Sequence, residues 1–281
     1  MTATVLDRRA TTPDGPVVDR RVVRRRLGPG PKVPFSLALG PVLLVGIWFL
    51  SSWAGWLDPR TLSEPWVVAE TAGDLIESGR LQDALQTSAV RAFSGLGLGI
   101  AAGTVLALVS GLFRLGESII DGQVQIKRSI PTLALIPLLI LWLGIGEEMK
   151  IITIALAVTI PVYIHTHNGL RSIDGRYAEL AETVDVGRLE FIRTVVLPGA
   201  MPGFLLGLRF AVTTALLSLV VVEQFNAISG IGHLITLAQG YGQTDVIVVG
   251  LVVYALLGLA ADGAVRLLER KALAWRRTLD S

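Results

Sequence analysis

Residues 92–113 read AFSGLGLGIAAGTVLALVSGLF, twenty-two consecutive positions without an ionisable side chain. At about 1.5 Å per helical residue, such a run reaches across the roughly 30 Å hydrocarbon core of a bilayer. Within it Gly95, Gly99, Gly103, Ala107 and Gly111 fall four apart. They make a small-residue stripe on one helix face, suited to close approach of a second helix or, alternatively, to lining a pore.

Outward from this run, five further apolar stretches approach spanning length: 37–57, 129–146, 151–170, 204–224 and 246–261. Arg209 lies near one end of the fifth, where its long side chain can snorkel, and Asp262 closes the sixth. The expected class is all-α, a polytopic membrane protein of about six transmembrane helices. Composition agrees, because 52% of the 281 residues are apolar and only 17% charged, against about 25% charged in an ordinary soluble domain. Cys is 0, which excludes disulfides, thiolate metal sites and cysteine nucleophiles. Pro131, Pro137 and Pro161 lie in or beside the third and fourth runs and favour kinks there.

Basic residues set the orientation, since they stay on the cytoplasmic side of span ends. With the N-terminus inside, 20 of the 25 Lys and Arg fall in cytoplasmic segments and only Arg60, Arg80 and Lys150 outside. Six spans with both termini cytoplasmic follow, and the pI of 9.1 reports topology, not nucleic-acid binding. The first run is longer than the 7–15 residues of a signal core and lacks an Ala-x-Ala site, so it reads as a retained helix. The expected organisation is a basic tail over 1–36 lying on the anionic inner leaflet, a permease domain over 37–270, and a cytoplasmic tail over 271–281.

The cytoplasmic loop at about 168–200 carries the most mechanism. Tyr177, Leu180, Ala181 and Val184 recur at i, i+3, i+4 and i+7, while Glu179, Glu182 and Asp185 face elsewhere. This predicts a short amphipathic helix, ended by a turn at Gly187 and followed by a second stripe closed by Leu197 and Pro198. An interfacial helix normally carries Lys and Arg on its polar face. An acidic polar face favours a protein docking surface instead.

These residues resemble the "EAA" loop of inner-membrane permeases of ATP-binding-cassette importers: Glu179, Ala181, Gly187, then Leu197-Pro198. Leu180 replaces the usual first Ala, and Asp185 stands where the first Gly is usual. Ile130-Pro131-Thr132-Leu133-Ala134, Leu141 to Glu147 and Ser229 to Leu234 are similar to the branch importing aliphatic sulfonates, taurine and nitrate, and the resemblance covers residues 57–274. It implies a type I importer permease in the cell membrane that carries a small anionic solute, an aliphatic sulfonate first. It also implies a second copy of the permease, two cytoplasmic ATP-binding subunits and an extracytoplasmic substrate-binding protein as partners. Glu179, Leu180, Ala181, Glu182, Val184, Gly187 and Pro198 would couple to the ATPase.

None of Lys32, Lys127, Lys150 and Lys271 follows a Gly, so the chain holds no P-loop, and no cofactor or catalytic residue is expected on it. His165 and His167 would point about 200° apart on a helix, a poor metal pair. Glu147 and Glu148 read as a solvated outer turn. Glu223, with Gln224 and Asn226, sits at the outer end of the fifth run and is the candidate for a translocation path, a helix end reaching water being the alternative. No span holds a central charge and no internal repeat is evident, which favours the ATP-driven reading over a secondary transporter or channel, left open at this point.

Overall fold

The structure, a computed structural model, describes residues 36–225 and 227–274. Asn226, nearly all of the basic tail and the chain from residue 275 onward lie outside the described residues. All regular structure among the described residues is helical. α1 (Ser36–Trp53) opens the described chain, and the packing that follows is that of the unit beginning at Trp48.

Four helices are long and apolar enough to cross a membrane. They are α3 (Arg80–Leu112), α6 (Glu147–Arg171), the run Arg188–Gln224 and α11 (Thr244–Ala272). The run Arg188–Gln224 comprises α8 (Arg188–Phe191), a π-helical turn (Ile192–Val196) and α9 (Leu197–Gln224). Two shorter helices, α2 (Pro65–Glu77) and α10 (Ile231–Tyr241), precede α3 and α11 in the chain. Over its described length the first apolar run makes a shorter apolar helix, Leu39–Trp53.

The third expected run, 129–146, opens on a break. α4 (Arg114–Ser129) and the segment of a 3-10 turn (Thr132–Leu135) and α5 (Ile136–Leu143) meet at 89°. Pro131 is the cause, because its ring drives the preceding residue out of the helical region. Ile130 accordingly sits at φ −99°, ψ 117°. Pro137 falls in the first turn of α5, where no amide donor is needed, and α6 runs unbroken through Pro161. Among the described residues four helices are long and apolar enough to span, five counting the bent pair, and the shorter apolar helix Leu39–Trp53 accounts for the remaining expected run.

The small-residue stripe on α3 lies against α6. A Cβ at Gly95 would come within 2.6 Å of Ile154, and one at Gly99 within 2.6 Å of Val158 and 2.7 Å of the Ala155 carbonyl. On its other side α6 meets α9, where a Cβ at Gly203 would lie 2.6 Å from the His165 carbonyl. Ile154, Val158, Val162, Ala211, Ala215 and Leu219 fill the space between them. Where lipid gives helices no hydrophobic reason to associate, such backbone approach supplies the packing. Half of the apolar window of α6 is buried, against 17% in α11, whose Leu251, Leu256 and Leu259 face outward as a lipid-facing surface requires.

The turn before α9 also follows from sequence. Pro198 has no amide hydrogen and its ring crowds the carbonyl of Thr194, four residues back. The wider π turn at Ile192–Val196 gives that carbonyl room.

Candidate functional site

Between the Arg171 end of α6 and the start of α8, α7 (Arg176–Thr183) forms where the amphipathic spacing predicts it. Its apolar row is uncovered: Tyr177, Leu180 and Val184 are each more than half exposed, and so is Leu189 on α8. Glu179 and Glu182 are exposed on the same short helix, and Ala181 is half-buried.

The turn after α7 is made differently from the expectation. The residue in the left-handed region is Asp185, at φ 57°, whereas Gly187 has φ −63°, ψ 148°, extended backbone open to any residue. The amide of Val186 donates to the Ala181 carbonyl at 2.9 Å and that of Asp185 to the Glu182 carbonyl at 3.3 Å. This is the paired bonding of a Schellman helix end, with Asp at the position where Gly is usual. A Cβ on Gly187 meets nothing within 4 Å, so the turn does not depend on that glycine.

The loop is tied to the bundle on three sides. α6 enters it through Ser172, whose amide closes on the Asn168 carbonyl at 3.0 Å, and the π turn carries it into α9. Arg188, which sequence reasoning missed, donates to the Leu112 carbonyl at 3.1 Å and lies over the Phe113 ring at 5.6 Å. Leu112 ends α3, so a cation meets an unsatisfied C-terminal carbonyl. Arg171 pairs with Glu117 of α4 at 2.5 Å beside it.

At the opposite end of α6 lies a partly buried ionic cluster. Arg91, expected at a span edge, is inside α3 and 1% exposed. It grips Glu147 with two bonds, Nε to Oε2 at 2.5 Å and Nη2 to Oε1 at 2.6 Å, and reaches Glu223 Oε1 through Nη1 at 2.8 Å. Lys150, also buried, donates to Glu147 Oε1 at 2.9 Å. Glu147 is thus an ion-pair partner as well as a solvated residue: its side chain is 53% exposed, and Glu148 beside it is exposed too. The reason sequence missed this is that the partners are 56 and 132 residues apart.

Glu223 also accepts from Ser88 Oγ at 2.8 Å, Tyr254 OH at 2.9 Å and the Gly232 amide at 2.9 Å, while Ser88 Oγ accepts from the Ile231 amide at 2.9 Å. Its carboxylate therefore satisfies the first turn of α10, where negative charge is favoured. The Ser229 to Leu234 run is explained by the same contacts. Gly230 holds φ 108° and a Cβ there would collide with Glu223 and Arg91, while one on Gly232 would lie 2.5 Å from Glu223 Cβ. Of the three path candidates, Glu223 is enclosed and fully bonded within this chain and Gln224 is exposed, while Asn226 lies outside the described residues.

Two interruptions of the apolar runs find each other: Arg209 Nε lies 3.3 Å from Asp262 Oδ1, and Arg266 Nη2 lies 2.5 Å from Asp262 Oδ2. The two histidines diverge, His165 stacking on Phe210 at 4.9 Å and His167 on Tyr163 at 5.4 Å. Tyr163 OH bonds Asp121 of α4 and, at 2.9 Å, Ser110 of α3. Lys127, assigned to a cytoplasmic segment, instead bonds the Leu156 carbonyl at 2.7 Å, the tenth of the 25 residues of α6. A charged group therefore does reach into an apolar run, about 8 Å inside 151–170.

Long apolar helices packed through glycines, with an exposed amphipathic loop fixed to three of them, define a membrane transport permease. Residues 95–273 match the binding-protein-dependent transport system inner membrane component, and the chain belongs to that family. It is similar to an Escherichia coli (strain K12) protein named for aliphatic sulfonate transport, the permease SsuC, at 43% identity over 84% of this chain and 89% of that one. The SsuC protein of Bacillus subtilis (strain 168) is 37% identical over 85% and 87%. The fold recurs in an amino acid ABC transporter solved with histidines, with a TM-score of 0.61 at 15% identity over 71% of this chain and 97% of that one.

Proposed function

We propose that two copies of this chain form the translocation path of an ATP-driven importer of aliphatic sulfonates, with α7 seated in a groove of a soluble ATP-binding subunit. Both termini and α7 face the cytoplasm, and a binding protein delivers solute at the Glu147 end of α6. The observation that carries the coupling role is the uncovered row Tyr177, Leu180 and Val184 on a helix fixed to the ends of α3, α6 and α9. A contiguous apolar patch rimmed by Glu179 and Glu182 is what a partner with a basic-rimmed groove requires. What supports the substrate class is the near full-length likeness to two relatives named for sulfonate transport.

The test is uptake of radiolabelled butanesulfonate into proteoliposomes holding the permease with its own ATP-binding subunit and binding protein. Uptake that needs ATP and the binding protein is expected. Glu179→Lys with Leu180→Asp should leave the permease inserted yet abolish both uptake and ATPase co-purification. ATP-independent uptake, or an unaffected double variant, would overturn the reading.

A further inference from the structure

Among the described residues the two fully buried cations are neutralised, and the cations without a carboxylate partner are, apart from Lys127, exposed. Arg91 and Lys150 share Glu147 and Glu223, Arg209 meets Asp262, and Arg171 meets Glu117. Lys127 is different. Among the described residues no carboxylate lies within 4.0 Å of its ammonium, which donates to Thr132 Oγ1 at 2.8 Å and to the Leu156 carbonyl at 2.7 Å. An ammonium has three donors, so one remains free of protein acceptors.

Its depth matters as much as its lack of a counter-charge. Leu156 is nine residues into α6, about 14 Å along a helix of about 37 Å. A half-buried cation held there without a carboxylate is costly, and ionisable groups at such depth mark solute pathways. It also sits at the 89° break between α4 and α5, where Ile130 and Leu133 are exposed on the same bend. A free N–H and a positive charge flanked by apolar side chains match a solute with an anionic head and an alkyl tail.

We infer that the Lys127 ammonium is an intramembrane contact for the sulfonate group of the transported solute and sets the preference of the path for anions. This rests on the importer reading above. Thr132 and the Leu156 carbonyl hold the ammonium in place, leaving the third N–H for a sulfonate oxygen, while Ile130 and Leu133 receive the alkyl chain.

The experiment is ATP-driven butanesulfonate uptake by the complete reconstituted importer carrying Lys127→Gln, Lys127→Met or Lys127→Arg. Gln keeps donors for Thr132 and Leu156 but no charge. One charge-assisted hydrogen bond lost predicts at least about a tenfold fall in kcat/KM for Gln and Met, with Arg within about threefold of the parent. Retained uptake in Gln would overturn the assignment, and so would a loss in Arg equal to that in Gln. Assembly with the ATP-binding subunit is measured on each variant, and a Met variant that fails to assemble leaves Gln against Arg as the deciding pair. If the parent complex itself moves no sulfonate, the importer reading fails, a result distinct from a parent that transports and a Gln variant that transports equally.

Discussion

Removing the Arg91 guanidinium while leaving Glu223 in place strands a carboxylate that is 1% exposed. Glu223 would keep its bonds from Ser88, Tyr254 and the Gly232 amide, but lose the one cation that pairs with it among the described residues, and Glu147 would lose both of its bonds to Arg91. Breaking a buried pair from one side costs about 3–5 kcal/mol. We expect Arg91→Met to destabilise by that amount. Glu223→Gln should cost about 1–3 kcal/mol, since the amide retains one acceptor but turns donors toward Arg91. In the double variant neither charge is left without its partner, so its loss should fall short of the sum of the singles by about 2 kcal/mol or more. The measurement is reversible unfolding of the purified permease in mixed micelles for all four members of the cycle. Strict additivity would refute the coupling between these groups, and a stable Arg91→Met would refute the account of what holds the Glu147 end of the bundle together.

Gly99→Ala should cut folded yield and destabilise by about 1–3 kcal/mol, because its Cβ meets the Ala155 backbone at 2.7 Å; Gly97→Ala, with nothing within 4 Å, should be neutral or slightly stabilising in the same unfolding assay. At the end of α7, Asp185→Gly should stabilise by about 1 kcal/mol and Asp185→Val should destabilise by about 1–2 kcal/mol, whereas Gly187→Val should leave both stability and ATPase co-purification unchanged. An intolerant Gly187 would return the turn to that residue. Reporter fusions after Gly146 and after Ser281 should read outside and inside; the reverse would overturn the orientation and place α7 away from any cytoplasmic ATPase.

The helical class, the positions of the long apolar segments and the amphipathic α7 were legible in the sequence because each depends on local chemistry. An uncharged run of about twenty residues must satisfy its backbone within itself, and a period near 3.6 marks a face whatever that face later meets. Even the packing role of the glycine stripe could be read, though not its partner. What tertiary structure decided was which distant groups meet. Arg91, Glu147, Lys150 and Glu223 each look like an end-of-span charge when read along the chain, and only the folding together of α3, α6 and α9 turns them into one cluster, buried but for Glu147. The break at Pro131 and the left-handed Asp185 were likewise decided in three dimensions. A proline permits either a kink in a continuous span or a break, and a Gly two residues from an Asp does not reveal which of them turns the chain. Lys127 lies beside Arg128 in a basic pair that reads as cytoplasmic, yet the placing of α4 beside α6 sets its ammonium on the Leu156 carbonyl inside an apolar run, a position no linear count of charges contains.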